Sequence, residues 1–205
     1  MTLLKLNTSL FSNAGQSSRL AAQFVADQQA ANPSLEIVER DLARAPVPHL
    51  TAEAFQAFVA QPAARTEAQR AIVAHSDALI DELKSADVIV IGLPMYNFGV
   101  PSSLKAYFDH VARAGVTFRY TENGPVGLLT EKKAYVFATR GGLYAGTPGD
   151  LETGYVRQFL GFLGIDDVEF VYAEGLAISD ASRQASLANA ARSIARLAGV
   201  ERLAA

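Results

Sequence analysis

The stretch VIVIGLPMYNFG, residues 88–99, decides how this chain of 205 residues folds. It opens with four consecutive β-branched residues, Val88 to Ile91, a run typical of a strand that is covered on both faces in a parallel sheet. A loop from Pro94 to Gly99 follows, and Pro101 then occupies the first turn of a predicted helix whose apolar residues recur at positions 104, 108 and 111. This order of strand, loop and helix indicates one unit of an α/β fold.

The same order recurs along the rest of the chain. Apolar strands are predicted at residues 3–6, 35–42, 133–139 and 168–173, and helices at 19–31, 51–60, 65–84, 151–163 and 182–197. Because charges interrupt residues 35–42, this strand is expected at the periphery and residues 88–91 in the centre. Five strands alternating with helices predict a right-handed, doubly wound parallel sheet with helices on both faces. An inserted hairpin is expected at residues 116–129, with Asn123-Gly124 as its turn signal.

The composition limits the number of domains and the classes of function. Half of the residues are apolar, and a single domain over residues 1–205 is expected. The net charge of -3, from 18 basic and 21 acidic residues, provides no basic field for a nucleic acid partner. The absence of cysteine excludes thiolate catalysis and iron-sulfur ligation, so any redox chemistry must come from a bound cofactor.

The start of the chain and its apolar runs bear on location. Lys5 interrupts the only apolar stretch near Met1, unlike the apolar region of a signal peptide, and no apolar run approaches the about 18 residues of a membrane helix. A cytoplasmic protein without a membrane partner is therefore expected.

The expected position of a ligand follows from the sheet. In an open α/β sheet, ligands bind outside the carboxyl ends of the strands, which selects the loops at residues 8–18, 94–99 and 139–149. The first loop brings serines to the start of a helix, where unpaired backbone N–H groups and the helix dipole favour a phosphate. The alternative for this loop is an ordinary helix capped by serine. The candidate residues are Ser9, Gly15, Gln16 and Ser17.

The second loop places two aromatic rings, a thioether and an amide directly after the most buried strand: Met95, Tyr96, Asn97 and Phe98. A flat heteroaromatic ligand explains this composition, because the rings pack against its face while Asn97 bonds its polar edge. The alternative is a loop folded onto its own apolar side chains.

The third loop combines polar residues with paired glycines. Thr139 and Arg140 offer polar contacts, and Gly141-Gly142 permits close approach of the backbone to a ligand. The alternative is a plain turn.

Together these three sets of residues resemble the flavin site of the FMN-dependent NADH azoreductases, also described as NADH:quinone oxidoreductases. The resemblance runs essentially from end to end and includes the helix start at residues 100–106. It implies a flavodoxin-like fold of strand order 2-1-3-4-5, FMN as cofactor, NADH (alternatively NADPH) as electron donor, and quinones or azo compounds as acceptors. It also implies a homodimer in which the partner completes each site, with an aromatic substrate pocket formed by Tyr120, Tyr144 and Phe162.

Two positions depart from the family's pattern. Relatives commonly carry Ser where this chain has Gly15, so a backbone N–H would replace one hydroxyl at the phosphate. Relatives often carry His where this chain has Tyr144, so a proton relay through that His does not carry over. The resemblance requires no catalytic side chain, because the flavin carries the electron chemistry. Backbone amides near Gly141 and Gly142 are the candidates for stabilising charge on it.

Three other functions remain as alternatives. A flavodoxin-type electron carrier is usually strongly acidic, which this chain is not. A hydrolase of the acyl-carrier-protein phosphodiesterase type requires a metal cluster or an activated nucleophile. The chain has no G-x-S-x-G motif, and His49, His75 and His110 lack the spacing of metal ligands, so no metal is predicted. An interaction module without flavin would show no affinity for FMN.

Overall fold

A computed structural model describes residues 1–199; residues 200–205 lie outside the described part. The single domain over residues 1–205 therefore stays a prediction. In chain order the elements are β1 (Thr2–Asn7), α1 (Gln16–Ala31), β2 (Glu36–Asp41), α2 (Ala52–Val59), α3 (Glu67–Ser85), β3 (Val88–Pro94), α4 (Ser102–Val111), β4 (Phe118–Thr121), β5 (Gly124–Gly127), β6 (Lys133–Thr139), α5 (Leu151–Leu163), β7 (Asp167–Ala173) and α6 (Asp180–Ala198).

Five of the strands form a parallel sheet of order β2-β1-β3-β6-β7. Counted without the hairpin strands, this is the predicted order 2-1-3-4-5, and the prediction is confirmed. The run at residues 89–91 is fully buried in the central strand β3, and β2 lies at an edge, as their compositions indicated. The chain reverses its direction across the sheet between β1 and β3, so the carboxyl ends of these strands define the ligand-binding edge.

Helices cover both faces of the sheet, and each face has its own apolar core. On one face α1 and α6 pack against the sheet around Phe24 and Ile194. On the other face α3, α4 and α5 cover it around Leu79, Phe108 and Leu160. This burial on both faces explains why β3 contains an unbroken run of apolar residues and not alternating apolar and polar residues.

The contact between β3 and α1 is made by backbone. A Cβ added at Gly92 would lie 3.1 Å from the carbonyl carbon of Ser17, so a larger residue would require the first turn of α1 to move away from the strand by a few tenths of an ångström. Thr8 Oγ1 donates to the carbonyl of Gly92 at 2.7 Å. The start of α1 is thereby held at the carboxyl edge of the sheet.

Several predicted boundaries were wrong by one to three residues, and two of them concern the site and the hairpin. The first helix begins at Gln16 and not at residue 19, because the extended backbone of Gly15 (φ -65, ψ 143) already ends the preceding 3-10 turn. The hairpin is confirmed, but its second strand begins at Gly124, and the turn consists of Glu122 and Asn123. Gly124 adopts a positive φ of 106, which glycine tolerates without a side-chain clash.

Candidate functional site

The three loops selected from the sequence meet at the carboxyl edge of the sheet. The Tyr96 hydroxyl accepts from the N–H of Leu10 at 3.2 Å and lies 3.4 Å from Ser9 Oγ, which connects the second loop to the first. The N–H of Met95 donates to the carbonyl of Thr139 at 3.0 Å, and the rings of Phe98 and Tyr144 meet edge to face, which connects the second loop to the third. The loops therefore form one continuous surface.

The first loop ends in a helix start without a side-chain cap. The N-cap of α1 is Gly15, so the alternative of a serine-capped helix is wrong. Ser17 and Ser18 are buried, and their hydroxyls have no hydrogen-bond partner among residues 1–199. The first-turn N–H groups lack partners within the helix by geometry. An unpaired buried hydroxyl costs about 1–3 kcal/mol, so this arrangement fits an anion with several acceptor oxygens.

Ser9 explains the glycine at position 15. A Cβ at Gly15 would lie 2.2 Å from Ser9 Oγ and 2.6 Å from Ser9 Cβ. Ser9 is buried, and its hydroxyl accepts from the N–H of Phe11 at 3.2 Å. The Ser9 side chain thus occupies the space into which a larger residue at position 15 would project.

The second loop is a tight turn whose aromatic tip is exposed. Tyr96 and Gly99 exchange two backbone hydrogen bonds of 3.1 Å, and Asn97 and Phe98 between them have φ values of 51 and 66. A left-handed conformation is uncommon for a bulky residue and occurs preferentially at functional sites. The Phe98 side chain is 58% exposed, so the alternative of a loop folded onto its own apolar side chains is wrong.

A cavity of about 240 Å³ lies between the second and third loops. A neighbouring cavity of about 580 Å³ shares Asn97 and Phe98 with it and extends over Val100, Leu151 and Tyr155. An apolar wall with a few polar groups at one edge is the usual composition of a site for a planar ligand. The smaller cavity unites six predicted residues: Met95, Asn97, Phe98, Gly141, Gly142 and Tyr144.

The third loop presents backbone amides on the side of this cavity. The carbonyls of residues 140, 141 and 142 accept from the N–H groups of Leu176, Ala177 and Gly175 at 3.1, 3.0 and 2.8 Å. In a trans peptide the carbonyl and the following N–H point in opposite directions. The N–H groups of Gly141 and Gly142 therefore point away from residues 175–177, and no hydrogen bond within residues 1–199 uses them.

Arg140 lies beneath the third loop. Its side chain is fully buried and pairs with Asp150 at 2.7 Å, Glu174 at 3.1 Å and Glu152 at 3.3 Å. Its guanidinium is thus directed at carboxylates and does not line the cavity, and a polar contact from Arg140 to a ligand stays a prediction. The partner carboxylates were missed because none of them follows a recognisable motif.

Two of the carboxylates beside Arg140, those of Glu152 and Asp150, have pKa values shifted in opposite directions. Burial raises the pKa of Glu152 to about 7, although Arg140 acts in the opposite direction. Burial also disfavours the charged form of Asp150, but hydrogen bonds from Arg140 and Thr153 outweigh it and lower the pKa of Asp150 below its usual value.

Two predicted pocket residues lie away from the cavity within one chain. Tyr120 is 74% exposed on the hairpin and lines a separate groove of about 500 Å³ with Leu50 and Phe55. Phe162 packs against Phe118 at 4.3 Å, and Phe118 in turn contacts Tyr120 at 5.5 Å between ring centroids. Of the three predicted pocket residues, only Tyr144 lines the cavity between the loops.

Comparison with known proteins identifies the family. A family model described as a flavodoxin-like fold matches residues 1–198. A protein of Cellvibrio japonicus named FMN-dependent NADH:quinone oxidoreductase is 54% identical over 85% of this chain and 88% of its own length. A Burkholderia lata protein, FMN-dependent NADH:quinone oxidoreductase 6, is 53% identical over 95% of this chain and 98% of its own.

This chain belongs to the FMN-dependent NADH:quinone oxidoreductase family.

A solved structure extends the likeness to three dimensions. An FMN-dependent NADH-azoreductase from Bacillus anthracis, determined in complex with FMN, is 28% identical and superposes with a TM-score of 0.88 over 100% of this chain and 99% of its own. The resemblance predicted from the sequence to this oxidoreductase family is confirmed.

Two further residues complete the description of the site: Ser18, which belongs to the serines predicted at the start of the first helix, and Glu174, which the sequence did not single out. Ser18 lies beside Ser17 in the first turn of α1, with its own unpaired hydroxyl. Glu174 directly follows β7, and its carboxylate accepts from backbone amides of the third loop. The rule on the carboxyl ends of strands, applied to the fifth parallel strand as well, would have selected Glu174.

The three histidines form a separate group of titratable residues. His49, His75 and His110, though far apart in sequence, line one cavity of about 300 Å³, and burial lowers the pKa of His110. Among residues 1–199 no group of three or more His, Asp or Glu side chains is placed to hold a metal ion. In the same part of the chain no helix combines the length and apolarity needed to cross a membrane.

Proposed function

We propose that the protein is an FMN-dependent NADH:quinone oxidoreductase that also reduces azo compounds. The observation that carries the proposal is the pairing of two sets of unused donors along one edge of the sheet. Buried hydroxyls stand unpaired at the start of α1, and free backbone amides of Gly141 and Gly142 stand beside the cavity. A ligand with a phosphate at one end and a polar heteroaromatic ring at the other matches both sets.

The phosphate end is assigned to the first turn of α1. The hydroxyls of Ser17 and Ser18 and the N–H groups of residues 16–18 offer donors without adding a formal charge. The positive end of the helix dipole adds to their attraction for an anion. Ser9 supports this turn from below through its contact with Gly15.

The ring end is assigned to the cavity between the second and third loops. Met95 and Phe98 supply surface for packing, and Asn97 supplies an amide for the polar edge of the ring. FMN, when bound, supplies the redox chemistry: two electrons and one proton arrive as hydride from NADH, and the acceptor leaves with the two electrons, that proton and a second one from water. The amides of Gly141 and Gly142 are oriented to stabilise negative charge at the ring edge.

We assign Tyr144 to the wall of the same cavity. The Tyr144 ring lies next to Gly142, where an added Cβ would approach its atoms to 2.9–3.0 Å. The residue that relatives often use for proton transfer is thus replaced by a phenol that packs edge to face with Phe98. The second proton of each turnover is therefore assigned to water.

The acceptor pocket requires a second copy of the chain in this proposal. Apolar side chains near the site are exposed: Leu10 is 65%, Phe11 69% and Leu143 66% exposed. Exposed apolar surface of this kind is typical of interfaces. A homodimer would bury it and bring Tyr120 of the partner subunit and Phe162 of the partner subunit to the acceptor. Planar quinones and azo compounds stack on such rings, and the proposed place of action is the cytoplasm, where NADH is available.

The proposal is tested by loading the protein with FMN, removing free flavin, and titrating anaerobically with NADH while the absorbance of the flavin band is followed. The expected result is bleaching by one equivalent of NADH per flavin, followed by return of the colour with benzoquinone or an azo dye. Flavin that is retained but reduced by neither NADH nor NADPH would favour the electron carrier. A protein that retains no flavin would contradict the assignment of the cofactor.

The dimeric pocket is tested separately with Tyr120→Ala, a change at an exposed position. The expected result is a higher KM for the quinone with an unchanged affinity for FMN, in a protein that sediments as a dimer. A wild-type protein that sediments as a monomer and turns over quinones at the full rate would contradict the role of the partner.

A further inference from the structure

The segment after β7 lies along the third loop and determines its course. Its N–H groups at residues 175–177 bind the carbonyls of residues 140–142, as described above. The N–H of Arg140 donates to the carbonyl of Ala173 at 3.0 Å, which continues the pairing of β6 with β7 beyond the last strand residues. The direction of the free amides at Gly141 and Gly142 is therefore set by residues that lie about 30 positions later in the chain.

A single carboxylate oxygen holds the next part of the loop. Glu174 Oε1 accepts from the N–H groups of Tyr144 and Ala145 at 2.9 and 2.8 Å and from Arg140 Nη1 at 3.1 Å. The Glu174 side chain is only 14% exposed, so these charge-assisted bonds compete little with water. Within residues 1–199 the two amides have no other acceptor.

Arg140 in turn holds Glu174 in place. Its guanidinium bonds Asp150 at the start of α5 and lies over the ring of Tyr172, with 5.2 Å between the guanidinium carbon and the ring centroid. Asp150 accepts from the N–H of Thr153 and thereby caps α5. The carboxylate of Glu174 is thus fixed with respect to β6, β7 and α5 at once.

We propose that Glu174 is a positioning residue for the flavin ring. Its carboxylate fixes the amides of Tyr144 and Ala145. This holds the ring of Tyr144 and, together with the bonds from residues 175–177, the N–H groups of Gly141 and Gly142 in the orientation that the ring end requires. The next residue, Gly175, has no side chain that could take over the role of the Glu174 carboxylate. The inference rests on the proposed function, because it assumes that the cavity receives the flavin ring.

The test compares Glu174→Ala and Glu174→Gln with the control Glu169→Gln. Glu169 is the same residue type, lies in β7, the strand that Glu174 follows, and makes no side-chain hydrogen bond to the third loop within residues 1–199. FMN affinity is measured by quenching of flavin fluorescence, the midpoint potential of the bound flavin by dye equilibration, and amide exchange at Tyr144 and Ala145 by mass spectrometry on the protein without flavin.

Glu174→Ala is expected to raise the Kd for FMN about tenfold, the equivalent of one good hydrogen bond, and to make the midpoint potential more negative. Exchange at Tyr144 and Ala145 should become faster. Glu174→Gln keeps an oxygen for the two amides but loses the charge that Arg140 bonds, so its Kd should fall between those of wild type and Glu174→Ala. Glu169→Gln should match wild type in all three measurements.

Unchanged FMN affinity, potential and amide exchange in both Glu174 variants would overturn the inference. If Glu174→Ala does not fold, as judged by circular dichroism, Glu174→Gln alone decides, since it conserves shape. A wild-type protein that fails to bind FMN would contradict the proposed function. If the wild-type protein and both Glu174 variants bind FMN equally well, only the role of Glu174 would be contradicted.

Discussion

The first and third loops both offer hydrogen-bond donors along the same edge of the sheet, but the donors have different origins. In the first loop they include the side chains of Ser17 and Ser18, which the adjacent residues place at a helix start. In the third loop they are the backbone amides of Gly141 and Gly142, whose direction depends on contacts with residues 175–177. Side-chain donors can be recognised in a sequence, whereas the direction of a backbone amide depends on its partners in the fold.

The comparison predicts that a larger side chain at the ring end has the largest effect on flavin affinity. Gly142→Val places a branched side chain where a Cβ already approaches the Tyr144 ring to 2.9 Å, beside the cavity. Because the valine and the displaced Tyr144 ring would occupy space that the flavin ring needs, the overpacking arises in the complex. It costs about 1–3 kcal/mol there, which corresponds to a rise in Kd of up to about 100-fold for both FMN and riboflavin. Fluorescence titration with the two flavins measures it.

Two further glycines supply the controls. Gly141→Val should have a smaller effect, because a Cβ there meets only Ala177 Cβ at 3.3 Å. Gly154→Val on α5 projects into open space and should leave flavin affinity unchanged. Equal affinities for Gly142→Val and Gly154→Val would show that the ring does not bind at the third loop.

The buried cluster beneath the third loop predicts a dependence of stability on pH. Burial raises the pKa of Glu152 in the folded protein to about 7, above its value in the unfolded chain, so the folded state binds this proton more tightly. Wild-type stability attributable to Glu152 is present at low pH and is lost as the pH rises through about 7. Glu152→Gln removes this titration. Its free energy of unfolding should therefore increase by about 2 kcal/mol relative to that of wild type as the pH rises from 5 to 8.

Urea unfolding of the flavin-free protein at the two pH values measures this difference. Glu169→Gln serves as the control, because it removes a carboxylate outside the cluster. A constant stability difference between Glu152→Gln and wild type across the pH range would mean that Glu152 is ionised throughout.

The smallest expected effect on flavin affinity is that of a substitution at the phosphate end. Ser17→Ala removes one unpaired donor and should raise the Kd for FMN about tenfold while leaving the Kd for riboflavin, which lacks the phosphate, unchanged. The flavin-free variant should be slightly more stable than wild type, because a buried hydroxyl without a partner is lost. Ser85→Ala, at the end of α3, is the control.

An equal loss of affinity for both flavins in Ser17→Ala would remove the distinction between the two ends. In that case Ser17 would contact the ring or support the loop, and the phosphate would have to bind elsewhere.

Prediction from the sequence succeeded where local pattern determines structure. The β-branched run at residues 88–91 lies in the centre of the sheet, and both ends of β6 and of α5 lie where predicted. The cavity residues of the second and third loops were found because the carboxyl ends of parallel strands meet at one edge.

The failures concern contacts between residues that are distant in sequence. The carboxylates that pair with Arg140, at positions 150, 152 and 174, were not predicted, because no local signal indicates that these groups converge. A contact from Arg140 to a ligand stays a prediction. Tyr120 and Phe162 lie away from Tyr144 within one chain, and the pocket predicted from all three stays a prediction. In the proposed homodimer a second chain brings them to the acceptor, and periodicity within one chain does not encode such an arrangement.

The close contact between Gly92 and the first turn of α1 bears on how such an enzyme can diversify. Because the contact joins backbone to backbone, the distance between β3 and the start of α1 does not depend on side chains that face the acceptor. Residues that face the acceptor can therefore be exchanged in evolution without altering the length of cofactor that the fold accepts. Gly92 itself is expected to be among the positions least tolerant of substitution, although it touches neither donor nor acceptor.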